Sequence, residues 1–212
     1  VGYTGFRDAY DVVINGLRRL EYRGYDSAGV ILELQNGDFE FKKTKGKVDD
    51  LVAISKNLQT TSKLGMGHTR WATHGVPSDN NSHPHLSNNG KIAIVHNGII
   101  ENYQELKDKL VRKGYTFYSE TDTEVAVKLV DYYYKKYEGT PVDAINHALV
   151  RIRGSYALAM MFQDYPEEIY VARKDSPMIL GVANGESYIG SDVPAILKYT
   201  RDVYYIGNQE MA

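Results

Sequence analysis

Apolar residues recur three and four apart at Tyr10, Val13, Ile14, Leu17 and Leu20, so residues 7–20 are predicted to form an amphipathic helix. The period then changes. "SAGVILELQNGDFEFKKTKG" (27–46) holds two β-rich runs around Asn36-Gly37-Asp38, a strong hairpin signal. "VDDLVAISKNL" (48–58) predicts a short helix. "KLGMGHTRW" (63–71) and "KIAIVHNGII" (91–100) read as strands, the second with the continuous apolar run of a strand buried on both faces.

Three further helices follow. "ENYQELKDKLVRKG" (101–114) is stopped by Gly114. "SETDTEVAVKLVDYYYKKY" (119–137) opens on Thr121-x-x-Glu124, a capping-box pattern. Its apolar face runs Val125, Leu129, Tyr133 and Tyr137, so the tyrosine run reads as helix packing, not a stacking platform for bases. "VDAINHALVRIRG" (142–154) is the third, and His147 on it reads as an ordinary surface or core residue.

From residue 155 come short strands, "SYALAMMF", "EEIYVARK", "MILGVA", "ESYIGS" and "DVYYIG", separated by turn residues. Gaps this short permit antiparallel pairing, whereas parallel strands need a long crossover. The expected fold is α+β, one unit over residues 1–212, with helices covering antiparallel sheets. No linker, repeat or low-complexity stretch divides it.

Composition narrows the functions. The chain has no cysteine, which excludes disulfides, thiolate zinc sites and a thiol nucleophile within these residues. A net charge of −2 gives no electrostatic reason to bind nucleic acid. The longest apolar run, "SYALAMMF", falls far short of the roughly 20 residues that span a bilayer. The start, "VGYTGFRDAYDVV", lacks the basic and apolar regions of a signal peptide, so a cytoplasmic location without membrane attachment is expected.

Candidate chemistry gathers in "GHTRWATHGVPSDNNSHPH" (67–85). Its four histidines lack metal-ligand spacing: His68 lies in an expected strand, and His83-Pro84-His85 is held extended by its proline. No metal and no cofactor are expected. Arg70, Thr73 and His74 lie within five residues and can converge on one carboxylate, the guanidinium supplying the two-pronged donor. Trp71 can cover such a site. Asn97-Gly98, at the end of the buried strand, offers an amide and a backbone N–H as oxyanion donors; it is also a common turn. Asp122 can receive an ammonium group or simply complement a helix dipole.

Taken in order, "LEYRGYDSAG", "GHTRWATHG", "SHPH", "VHNGIIENY", "SETDTEV" and "RGSYA" closely resemble the glutaminase domain of the glutamine–fructose-6-phosphate aminotransferase family, a type 2 glutamine amidotransferase domain. The likeness runs over nearly the whole chain. It implies an N-terminal-nucleophile hydrolase fold, a four-layer αββα sandwich of antiparallel sheets. It also implies hydrolysis of L-glutamine to glutamate and ammonia, the ammonia passing to a sugar-isomerase domain that aminates fructose 6-phosphate to glucosamine 6-phosphate.

By motif position the resemblance gives Arg70 the glutamine α-carboxylate, with help from Thr73 and His74, and puts Trp71 in the closing loop. Asn97 and Gly98 form the oxyanion hole, and Gly98 with Asp122 receives the α-ammonium. Arg23 supports the nucleophile end, and His83 and His85 are structural companions of the loop. The family begins Cys-Gly-Ile-Val-Gly, and Val1-Gly2 aligns just after Cys-Gly-Ile. The chain as numbered thus lacks the first three family residues, including the nucleophile, and is expected to be inactive. Two other readings stay open: a non-catalytic glutamine-binding or regulatory module, and, more weakly, a histidine-ligated zinc hydrolase.

Overall fold

Two antiparallel sheets lie face to face, each covered on its outer side by helices. The computed structural model describes residues 1–212 apart from Gly24, Gln59 and Thr60; Gly24, within the "LEYRGYDSAG" motif, is outside the described residues. In chain order the elements are β1 (Gly2–Thr4), α1 (Ala9–Leu20), β2 (Ser27–Glu33), β3 (Phe39–Lys45), α2 (Val48–Ser55), β4 (Leu64–Arg70), β5 (His85–Leu86) and β6 (Ile92–Asn97). Next come α3 (Tyr103–Arg112), α4 (Asp122–Tyr137), α5 (Pro141–Leu149), β7 (Tyr156–Phe162), β8 (Tyr170–Lys174), β9 (Ile179–Ala183), β10 (Glu186–Gly190), β11 (Val203–Tyr205) and β12 (Glu210–Met211).

The larger sheet runs β11-β9-β10-β1-β4-β2-β3 and the smaller β12-β8-β7-β6-β5. Alternation along the strands splits the core into three layers. On β6, Ile92 and Ile94 point to α3, α4 and α5, while Ala93 and Val95 join Ile31, Met66, Ala159 and Met161 between the sheets. The third layer packs Val13 and Leu17 of α1 and Leu51 of α2 on the outer face of the larger sheet. Both faces of β6 are therefore buried, as its unbroken apolar run predicts.

Glycine sets the approach of α1 to β4. A methyl group on Gly67 would lie 2.5 Å from Val13 Cγ1 and 2.9 Å from Leu17 Cδ1, so the helix can dock this closely only over a bare backbone. That explains why "LGMGHTR" alternates glycine on the helix side with Leu64, Met66 and His68 on the other.

The structure amends several sequence expectations. β1, β5 and β12 escape the pattern because two or three residues carry no period. The Thr121–Glu124 capping box is only half formed: Thr121 accepts from the Glu124 N–H. The Glu124 carboxylate instead accepts from Ser119 and pairs with the buried Lys128 ammonium, a stronger demand than a backbone N–H. The complete capping box lies at Thr140 and Asp143, with Pro141 opening α5. Tyr133 is buried, and His147 stacks on Tyr137 at 4.3 Å. Among the described residues no helix is long and apolar enough to cross a membrane.

Candidate active site

β4 ends on Arg70 and β6 on Asn97, and the two ends meet across the gap between the sheets. His68 joins them: its Nε2 lies 2.7 Å from Asn97 Oδ1. A cavity of about 370 Å³ opens at this edge, lined by Arg23, Arg70, Trp71, Thr73, Asn97, Gly98 and Asp122, together with Val1, His68 and Ser191. Seven of the eight sequence-predicted site residues thus share one pocket. His74 does not line it; its ring packs on Tyr103 at 4.8 Å and its carbonyl accepts from Arg70.

Arg70 is 4% exposed, and its guanidinium is largely engaged by its own loop. Nη2 donates to the carbonyls of His74 and Gly75, the latter at 3.0 Å, and Nη1 to that of Val76 at 3.4 Å. Asp26 stands 4.0 Å away and accepts from the Ala72 N–H. Burial lowers the Arg70 pKa while Asp26, Asp122 and Glu120 raise it. Asn81 fixes the far side of the loop, donating to Val76 O at 2.9 Å and accepting from Glu120 N–H at 2.9 Å. Trp71 is 69% exposed at the rim.

Asn97 and Gly98 turn the chain sharply out of β6. Gly98 has φ of 120°, and a Cβ there would sit 2.4 Å from Ser155 O, so only glycine fits. Asp122, 4% exposed at the start of α4, accepts from Ile100 N–H at 2.8 Å. Arg23 donates to Ser191 Oγ at 2.7 Å across the mouth. The pocket therefore carries guanidinium charge from Arg23 and Arg70, a carboxylate from Asp122, and the Asn97-Gly98 corner.

Histidines pack behind that corner. His83 stacks on His68 with ring centres 4.0 Å apart and planes 10° from parallel. His96 Nδ1 meets Thr123 Oγ1 at 2.9 Å, and His85 bridges Tyr118 and Thr121. Burial pushes the His68 pKa down to about 3 and lowers those of His83, His85 and His96 as well. These rings are neutral at pH 7. Sequence reasoning missed His68 and His96 as parts of the site; period-two alternation from Met66 through His68 to Arg70 was the available signal.

A family profile for the glutamine amidotransferase domain matches residues 68–198. The chain is 53% identical over its full length to a glutamine–fructose-6-phosphate aminotransferase [isomerizing] of Caldanaerobacter subterraneus, covering 34% of it. It is 50% identical over 99% of its length to the enzyme of the same name from Pyrococcus horikoshii, covering 35%. It spans about a third of these curated relatives. Glutamine phosphoribosylpyrophosphate amidotransferase from B. subtilis superposes over 99% of this chain and 45% of its own, with a TM-score of 0.81 and 26% identity. The fold is the N-terminal-nucleophile hydrolase sandwich, and the chain belongs to the glutamine amidotransferase domain family.

Proposed function

We propose that this chain is a glutaminase unit that binds L-glutamine and, joined to a cysteine ahead of Val1, hydrolyses its side-chain amide. The observation that carries this reading is the polarity of one small pocket. Guanidinium and carboxylate charges suit the two ionic ends of a free amino acid, and the Asn97-Gly98 corner lies among them. Arg70 takes the α-carboxylate: a guanidinium has five N–H groups, and the loop carbonyls engage three of them. Thr73 assists, His74 acts through the carbonyl that steadies Arg70, Trp71 covers the entrance, and Asp122 with Gly98 receives the ammonium group.

The β-ladder register suggests where the nucleophile enters. Gly2 pairs with Met66 and with Ile189, and Val1 exchanges bonds with Gly67. A residue ahead of Val1, continuing this ladder, would lie between His68 and Ser191, and the next two alongside Thr69 and Arg70. A cysteine there enters the pocket. Its sulfur adds to the amide carbon, the carbonyl electron pair moves to an oxygen held by Asn97 and Gly98, and ammonia leaves with the thiol proton. Water then cleaves the thioester, releasing glutamate and restoring the thiol. Arg23 supports this end of the pocket.

We further propose, from the resemblance and the relatives' names, that the ammonia passes to a sugar-isomerase domain that aminates fructose 6-phosphate. A second reading is a glutamine-binding module without catalysis. Ammonia release separates the two. A polypeptide with mature N-terminal Cys-Gly-Ile ahead of Val1 should release ammonia from glutamine, and residues 1–212 alone should only bind it. Equal release by both refutes the cysteine mechanism; binding without release by either establishes the module.

A further inference from the structure

An oxyanion donor works only if its N–H points to where charge develops, and an asparagine amide can sit either way round. The choice at Asn97 is made by a residue of the other sheet. His68 Nε2 meets an oxygen, Asn97 Oδ1, at 2.7 Å, so the imidazole donates and the tautomer is Nε2–H. His68 Nδ1 is buried and has no partner at hydrogen-bond geometry among the described residues, although the His96 backbone favours the protonated ring, so the contact to Asn97 Oδ1 is what fixes the tautomer.

Ring and amide are both confined. His83 covers one face of His68, and His83 Nδ1 is itself fixed by the His96 N–H at 3.3 Å. Asn97 Nδ2 has no partner among the described residues and is not among the buried unpartnered atoms, so it faces the open space of the pocket that Asn97 lines. We propose that His68 is a positioning residue: by donating to Asn97 Oδ1 it turns the Asn97 Nδ2 hydrogens toward the reacting carbonyl. This inference rests on the glutaminase reading. Burial, which lowers the pKa of His68, helps to keep the second proton off the ring.

The test uses the full-length protein with its amino-terminal cysteine. His68→Leu should lower kcat about 10- to 100-fold, less than the roughly 10²- to 10³-fold cost of deleting an oxyanion donor. The glutamine KM should stay within about twofold, because Arg70 and Asp122 are untouched. His68→Gln, whose amide can donate to the same oxygen, should recover most of kcat. In an Asn97→Ala background His68→Leu should cost less than about twofold, since the group it positions is gone.

Nitrogen-15 NMR of the unmutated imidazole tests the geometry without depending on any variant's folding, and should place the proton on Nε2. Protonation at Nδ1 overturns the inference. So does equal loss of kcat in both backgrounds, or His68→Leu activity within threefold of the parent. An inactive parent overturns the glutaminase reading instead, and with it the catalytic role.

Discussion

Gly98→Ala tests the oxyanion corner through geometry alone. The added Cβ would stand 2.4 Å from Ser155 O and 2.8 Å from Ser155 C, whereas ordinary contact begins near 3.4 Å. The carbonyl cannot easily yield, because Ser155 N–H is bonded to Ile99 O at 3.0 Å in the same crossing of the two chains. Relief therefore requires Gly98 to retreat by about 1 Å, carrying its N–H and the Asn97 amide with it. A misplacement of that size costs about 10²-fold in rate. Positive φ adds strain of about 1–3 kcal/mol. At roughly 2–4 °C per kcal/mol for a domain this long, Tm should fall by about 2–12 °C.

Gly37→Ala supplies the control. Gly37 has φ of 88°, yet an added Cβ meets nothing within 4 Å, so it carries the strain without the collision. Glutamate release by the cysteine-bearing protein, read beside thermal unfolding, should show a loss of Tm in both variants, larger in Gly98→Ala because the collision adds to the strain, but a kcat lowered about 10²-fold only in Gly98→Ala. If the two variants differ by less than threefold in kcat, the corner does not hold the oxyanion.

Two other perturbations follow. Arg70→Lys keeps the charge but cannot reach the carbonyls of His74, Gly75 and Val76 together, so KM for glutamine should rise about tenfold or more, ahead of any fall in kcat. An unchanged KM removes Arg70 from the clamp. Acid should weaken the fold: His68 is held near 3, and His83, His85 and His96 are also lowered, so below the ordinary imidazole value of about 6.5 the unfolded chain binds more protons. Stability is full above that value and falls with pH by about 1.4 kcal/mol per pH unit for each such ring, as far as its folded pKa. Urea unfolding between pH 7.5 and 5 checks this, and a flat stability curve would contradict the buried neutral cluster.

Much of the scaffold was legible because its signals are local. The spacing of Tyr10, Val13, Ile14, Leu17 and Leu20 placed α1 and its buried face, and the unbroken apolar run ending at His96 marked a strand covered on both sides. β1 was not legible. Its three residues have no measurable period, and what makes them a strand is the pairing with β4, 60–64 residues away, and with β10, 183–187 residues away. Glu124 shows a different failure, a capping motif outcompeted by another local partner: the buried Lys128 ammonium, one turn further along α4, takes the carboxylate.

The site divides along the same line. Arg70, Asn97 and Asp122 were recognisable because each stands where a strand ends or a helix begins, places that expose polar groups at a fixed edge of the sandwich. That they share one pocket depends on which strand ends face each other, and no local pattern encodes this. His68 is the sharpest instance. Alternation put its ring on the face turned to the other sheet, but its task depends on Asn97, 29 residues later and in that other sheet. A histidine so placed has few stable choices: burial disfavours its charged form, so it stays neutral and gives its one donor to the Asn97 oxygen. The same burial that makes this edge sensitive to acid thus gives the Asn97 amide a single orientation.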